Sequence, residues 1–180
     1  MTNFSQKIIT WQKQHGRHEL PWQNTVDPYR IWVSEIMLHQ TQVTAVIGYY
    51  AKFMGRFPTI ESLASATQDE VLQHWSGLGY YSRARNLHHA AQTIVDDFQG
   101  VFPTDFDDIQ RLSGIGRSTA AAISAFAFNL PQPIMDGNVK RVFARHFLVE
   151  GFTGAPVVQK KLWLLADDLM PTIEDRKSVV

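Results

Sequence analysis

Residues 112–122 read "LSGIGRSTAAA": Gly114 and Gly116 flank a single Ile115 in a hydrophobic frame, and Arg117, Ser118 and Thr119 follow at once. A simple turn needs one glycine. Two suggest a backbone that must approach something closely, because glycine admits positive φ, lets successive amides point the same way and has no side chain to hold a ligand off. An alanine-rich run to Phe128 has the composition of a helix, and the free amides at its start would complete an anion site suited to a phosphate. The same residues could form a tight helix–helix turn with Ile115 plugged into the core. The turn alone does not separate the two readings.

The surroundings of the turn are basic. Formal net charge is zero, which argues against a chain that coats nucleic acid by bulk charge, but the average conceals an asymmetry. Residues 111–148 carry Arg111, Arg117, Lys140, Arg141 and Arg145 against Asp136 alone among the acids, whereas 96–108 hold five aspartates and no Lys or Arg. The acidic run reads as a solvated face; the basic one favours contact with phosphodiesters.

Outside the turn, apolar residues recur at helical spacing with almost no strand-like alternation, so the class is all-α. Phe4, Ile8, Ile9 and Trp11 mark an amphipathic helix ending at Gly16, and Pro21 and Pro28 break the connector that follows. Helices are expected over about 29–38, 42–54 and 62–66. Another, 68–75, starts at Thr67 with Glu70 in capping-box position. "NLHHAAQTIVDDF" carries the next; Phe106, Ile109 and Leu112 share a face before the glycine turn, and a helix covers 118–128. Asp136 reads as the N-cap of a helix over 138–147, and 157–170 gives the last.

The composition is that of an ordinary globular chain, 44% hydrophobic and 19% charged, without cysteine. Disulfides, thiolate zinc sites and iron–sulfur ligation by these residues are thereby excluded. The seven histidines show no metal-ligand spacing; His88 and His89 are adjacent, and surface or phosphate-facing roles are expected of them. The start lacks the apolar core of a signal peptide and no window approaches the length of a membrane span, so a cytoplasmic protein without membrane partners is expected.

Five ordered stretches, "LPWQ", "SEIMLHQTQV", "GLGYYSRARNLHHAA", "LSGIGRSTAAAI" and "MDGNVKRVFAR", resemble the catalytic module of adenine DNA glycosylases of the MutY type, in the helix-hairpin-helix glycosylase superfamily. The resemblance runs from about Phe4 to Met170. It departs at His39, where the family usually has glutamine, and at Ser113, where it usually has proline. It implies two helical lobes with the active site between them: residues 28–133 form a six-helix module with its hairpin at about 106–128, while 1–27 and 134–180 belong to the second lobe. The implied function is hydrolysis of the N-glycosidic bond of adenine mispaired with 8-oxoguanine or guanine in double-stranded DNA, on the nucleoid of a bacterial-type cell.

Roles follow from the same resemblance, position by position. Glu35 shares a helix face with Ile31 and Leu38, a setting that desolvates a carboxyl and raises its pKa; from the pattern alone it could also be an exposed or paired core residue. The resemblance makes it the general acid that protonates the leaving adenine. Asp136 becomes the second carboxylate, facing the oxocarbenium-like sugar, with Ser118 and Asn138 beside it. Bifunctional relatives of the endonuclease III type carry lysine at the position of Ser118, and a hydroxyl cannot form the imine of a lyase. Trp22 and Val43 are expected to line the adenine pocket. Gln40, Thr41, Leu78 and Tyr80 are expected to wedge into the base stack and contact the opposing base; without the resemblance Tyr80 and Tyr81 would read as core aromatics. Gly114, Ile115, Gly116, Arg117, Lys140 and Arg141 would hold DNA phosphates, and the hairpin is a candidate site for a monovalent cation.

Family members continue past the match to "LWLLADDLMP" into further helix, a cysteine cluster holding a 4Fe-4S centre and a C-terminal lesion-recognition domain. This sequence ends at "TIEDRKSVV", so the resemblance implies a truncated chain with Phe4, Ile8 and Trp11 short of packing partners, marginal stability, a tendency to associate and weak selectivity for 8-oxoguanine. A catalytically weak DNA-binding remnant, or an endonuclease III-like lyase, are the alternatives it leaves open.

Overall fold

The computed structural model describes residues 3–170; positions 1–2 and 171–180, the ends of the first and last expected segments, lie outside them. Every regular element among the described residues is helical: α1 (Asn3–His15), α2 (Pro28–Leu38), α3 (Val43–Arg56), α4 (Ile60–Ala64), α5 (Gln68–Trp75), α6 (Ser82–Phe98), α7 (Phe106–Arg111), α8 (Arg117–Phe128), α9 (Gly137–His146) and α10 (Pro156–Leu169). None of them is long and apolar enough to cross a membrane.

Local chemistry sets the boundaries. Pro28 supplies the preset φ of a first helical residue and Asp27 caps α2 by accepting from the Tyr29 amide at 2.9 Å. Thr67 caps α5 by accepting from the Glu70 amide, but the reciprocal half of the expected capping box is absent, because the Glu70 carboxylate pairs instead with Arg56. The reciprocal box belongs to Thr59 and Ser62, which start α4 two residues before its expected position. α6 also begins earlier than "NLHHAA" indicates, at Ser82, with the Arg83 amide donating a hydrogen bond to the Tyr80 carbonyl at 2.9 Å as it starts.

Two hydrophobic clusters organise these helices. The larger joins α2–α8 around Trp32, Trp75, Phe53 and Phe57, with α2 packed on α8 and α4 on α6. The smaller gathers Met135, Phe143, Val158, Leu162, Ala166 and Leu169. α1 joins this second cluster: Phe4 meets Phe143 edge-on with centroids 5.9 Å apart, and Ser5 Oγ donates to the Leu169 carbonyl at 2.7 Å. Of the expected apolar stripe of α1, Ile9 is buried and Phe4 and Ile8 are half-buried, whereas Trp11 departs from it, 60% exposed beside His15. His88 is likewise not at the surface. It is buried in α6, its Nε2 3.4 Å from Gln92 Nε2.

Candidate active site

The contact of α2 with α8 brings the Glu35 carboxyl to the start of the helix that follows the glycine turn. Glu35 is half-buried and borders two cavities. One, of about 460 Å³, is lined by Trp22, Ile31, Ser34, Phe126, His18 and Gln23 among others. The other, of about 670 Å³, is lined by Val43, Ser118, Asp136, Asn138 and the loop from Leu38 to Thr41. Phe126 shares both with Glu35. Trp22 and Val43, expected in one pocket, therefore stand in different cavities. Trp22 is packed edge-on against Tyr50, with centroids 5.3 Å apart.

Burial pushes the Glu35 carboxyl up from 4.5 to about 7, and the negative charge of Asp136 adds to the rise. A carboxylic acid with that value is still protonated in a large fraction of molecules at neutrality. Asp136 is exposed and fixed in place: Oδ1 accepts from the Val139 amide at 2.7 Å, capping α9, and Oδ2 lies 3.5 Å from Asn138 Nδ2. Ser118 steadies the preceding residue, its Oγ accepting from the Met135 amide at 3.2 Å. The two carboxyls differ in setting: Glu35 is desolvated, whereas Asp136 is exposed at the edge of the same cavity.

The glycine turn answers its own question through two different requirements. Gly114 has φ +77°, and a Cβ there would lie 2.7 Å from Asn86 Cβ on α6. Ile115, buried against the larger cluster, pins the turn down, its amide bonding to the Leu112 carbonyl at 3.1 Å. Gly116 has an ordinary φ of −88° and nothing within 4 Å of a Cβ. It stands as N-cap of α8 with no side chain capping the helix and no acid in the first turn. The first amide of the helix bonded along the backbone is that of Ala120, to the Gly116 carbonyl at 2.9 Å. Gly114 is therefore required by the close packing on α6, while at Gly116 no side chain caps the amides that open α8.

The other expected residues divide. Gln40 and Tyr80 are exposed, Tyr80 by 60%, and both hold left-handed backbone, φ +57° and +49°. Leu78 does not accompany them: it is 7% exposed, a member of the larger core, because the turn at Gly77–Gly79 folds it inward while projecting Tyr80. Arg117 is engaged within the protein, its guanidinium 3.8 Å over the Trp163 ring and 4.0 Å from Asp167 on α10. Arg141 is exposed and donates to Asn138 Oδ1 at 2.7 Å; Lys140 is half-exposed on the same helix. His39 joins the loop after α2 to α8, its Nε2 3.2 Å from Thr119 Oγ1, and burial together with Arg83 holds its imidazole below the usual range. Sequence reasoning passed over Phe126 and Arg83, although the latter lies in the quoted "SRARN". No group of three or more His, Asp or Glu side chains comes together as a metal site among the described residues, and with no cysteine the chain offers no ligand to an iron–sulfur centre.

The pattern of the HhH-GPD superfamily of base excision DNA repair proteins matches residues 33–167. An adenine DNA glycosylase of Buchnera aphidicola subsp. Acyrthosiphon pisum is 45% identical over 168 residues, covering 93% of this chain and 48% of that protein. The human adenine DNA glycosylase is 40% identical, over 94% of this chain and 33% of its own length. The chain thus spans about half the length, or less, of these relatives. Among solved structures, a thermostable thymine-DNA glycosylase superposes with a TM-score of 0.88 at 29% identity, over 98% of this chain and 81% of the other.

Proposed function

We propose, for a chain that belongs to the HhH-GPD superfamily of base excision DNA repair proteins, that it hydrolyses the N-glycosidic bond of adenine mispaired with 8-oxoguanine or guanine in duplex DNA. The observation that carries this reading is Glu35, its carboxyl raised to about 7 and bordering two cavities, the larger of which Asp136 also lines. The extruded adenine enters the cavity beside Trp22 and Phe126, and the deoxyribose stays on the Asp136 side.

Glu35 gives its proton to a ring nitrogen of adenine, the bond from the base to C1′ breaks, and the bonding pair leaves with the now neutral base. The positive charge left on the sugar faces the Asp136 carboxylate, whose orientation is fixed by the Val139 amide and, through Met135, by Ser118. Water adds at C1′ and its proton returns to ionised Glu35. Ser118 has no amine with which to form an imine, so the product is an intact strand bearing an abasic site. Before this, the base must leave the stack, and exposed Gln40 and Tyr80 are the residues that fill its place. The Gly116 turn and the start of α8 grip a backbone phosphate without reading sequence.

Thymine is the informative control, given the superposable thymine-DNA glycosylase. Thymine has no basic ring nitrogen, so an acid of the Glu35 kind favours a purine. Duplexes with adenine opposite 8-oxoguanine, adenine opposite guanine, and thymine opposite guanine are incubated with the chain and split into portions with and without alkali. Breaks in the adenine strands after alkali alone are expected. Breaks without alkali would make the chain a lyase, breaks only at thymine would move the substrate, and none in any arm would leave a DNA-binding module.

A further inference from the structure

Arg83, at the start of α6, is a residue for which the chemistry above has no use, yet its guanidinium touches more main-chain oxygens than the helix it belongs to requires. Nη1 lies 3.0 Å from the carbonyls of Ile36 and Met37 and 2.5 Å from that of His39. Nη2 lies 3.2 Å from Thr41 Oγ1 and from the carbonyls of Leu78 and Gly79. The first group is the C-terminal end of α2, where Ile36 and Met37 are buried, with its C-cap His39; carbonyls at such an end lack helical partners and carry the negative end of the dipole. The second joins Thr41, in the loop after α2, to the turn before Tyr80. The same guanidinium packs over the Trp75 and Tyr80 rings, 5.5 and 5.4 Å from their centroids.

These contacts fall on both loops that carry the proposed wedge. Gln40 and Tyr80 both sit in left-handed backbone, a conformation that non-glycine residues hold only when their surroundings impose it. No other side chain among the described residues hydrogen-bonds to both loops, which lie some forty positions apart in sequence. We propose that Arg83 is a positioning residue that locks the 38–41 loop and the 78–80 turn into one rigid wedge, so that it governs extrusion of the base and not the bond-breaking step. Its planar fork of donors is what the task needs; a lysine ammonium, with three donors on one point, cannot span the two sets of carbonyls.

The proposal rests on the base-releasing function above, and its test separates the two. The full chain, Arg83→Gln and Arg83→Lys are compared in single turnover on adenine stacked opposite 8-oxoguanine and on adenine held out of the stack as a one-nucleotide bulge. Extrusion is followed independently by fluorescence of 2-aminopurine beside the stacked target, and folding by thermal melting. Both variants are expected to lose roughly tenfold to 100-fold on the stacked adenine, the scale of a displaced positioning group, with the fluorescence rise slowed in step and the bulged adenine released at the unsubstituted rate. Equal loss on both substrates, or loss on neither, would overturn the positioning role. Collapse of the melting transition in both variants would also overturn it, making Arg83 a core residue. An unsubstituted chain that releases adenine from neither substrate would instead overturn the proposed function.

Discussion

Replacing Glu35 by glutamine should make the protein more stable at and above neutral pH while removing its activity. The carboxyl value rises from 4.5 to about 7 on folding, and at about 1.4 kcal/mol per pH unit this corresponds to roughly 3 kcal/mol. A raised carboxyl value means that the folded state binds the proton more tightly than the unfolded chain. The stabilisation is therefore fully present below about pH 4.5, declines as pH rises, and is lost once the pH passes about 7, where folding must either keep a buried proton or bury a charge. The amide resembles the protonated acid in size and neutrality, so Glu35→Gln should match the original protein near pH 4.5 and exceed it by up to roughly 3 kcal/mol near pH 8. Urea unfolding of both proteins at intervals from pH 4.5 to 8.5 measures the difference. Parallel stability profiles across this range would show that Glu35 is not desolvated in the folded state, and the general-acid assignment would lose its physical basis.

Asp136→Asn should preserve stability, since asparagine caps a helix as well as aspartate, yet abolish adenine release; Asp136→Ala should add a loss of about 1 kcal/mol from the missing cap. Because the Asp136 charge contributes to the raised Glu35 value, Asp136→Asn should also shallow the pH dependence of stability between pH 4.5 and 7; an unchanged slope would place the two carboxyls too far apart to cooperate. Gly116→Ala meets no protein atom within 4 Å, so it should fold with a loss of at most about 1 kcal/mol from the poorer N-cap and weaken binding to matched and mispaired duplexes alike; loss confined to the mispair would assign the hairpin a reading role. Gly114→Ala should cost about 1–3 kcal/mol in denaturant unfolding, from its positive φ and the approach to Asn86; a neutral effect would mean the hairpin is not held against α6.

The residues most legible in the sequence are those whose role is local. Thr67 and Asp136 each cap a helix through the amide three positions on, and the apolar stripe around Glu35 is written at i−4 and i+3, so spacing alone exposes them. The glycine turn is legible as a turn, but only the packing of Asn86 shows that Gly114 and Gly116 are there for different reasons. Where a side chain has two plausible faces, the sequence is a poorer guide. Trp11 and Ile9 both fit an amphipathic α1, yet only the smaller one is buried. Leu78 and Tyr80 sit on either side of one glycine and go opposite ways. Contacts that span the chain leave no periodic trace at all: Arg117 finds Trp163 and Asp167 on α10, and Arg83 finds the end of α2.

The most direct test of the account is the pH profile of adenine release in single turnover from a duplex carrying adenine opposite 8-oxoguanine, between pH 5 and 9. With Glu35 as the acid, the rate should be level at low pH and fall about tenfold per pH unit above roughly pH 7, the protonated fraction setting the rate, and Glu35→Gln should show no release at any pH while still binding the duplex. A rate that stays level through pH 9, or a Glu35→Gln protein that still releases adenine, would contradict it.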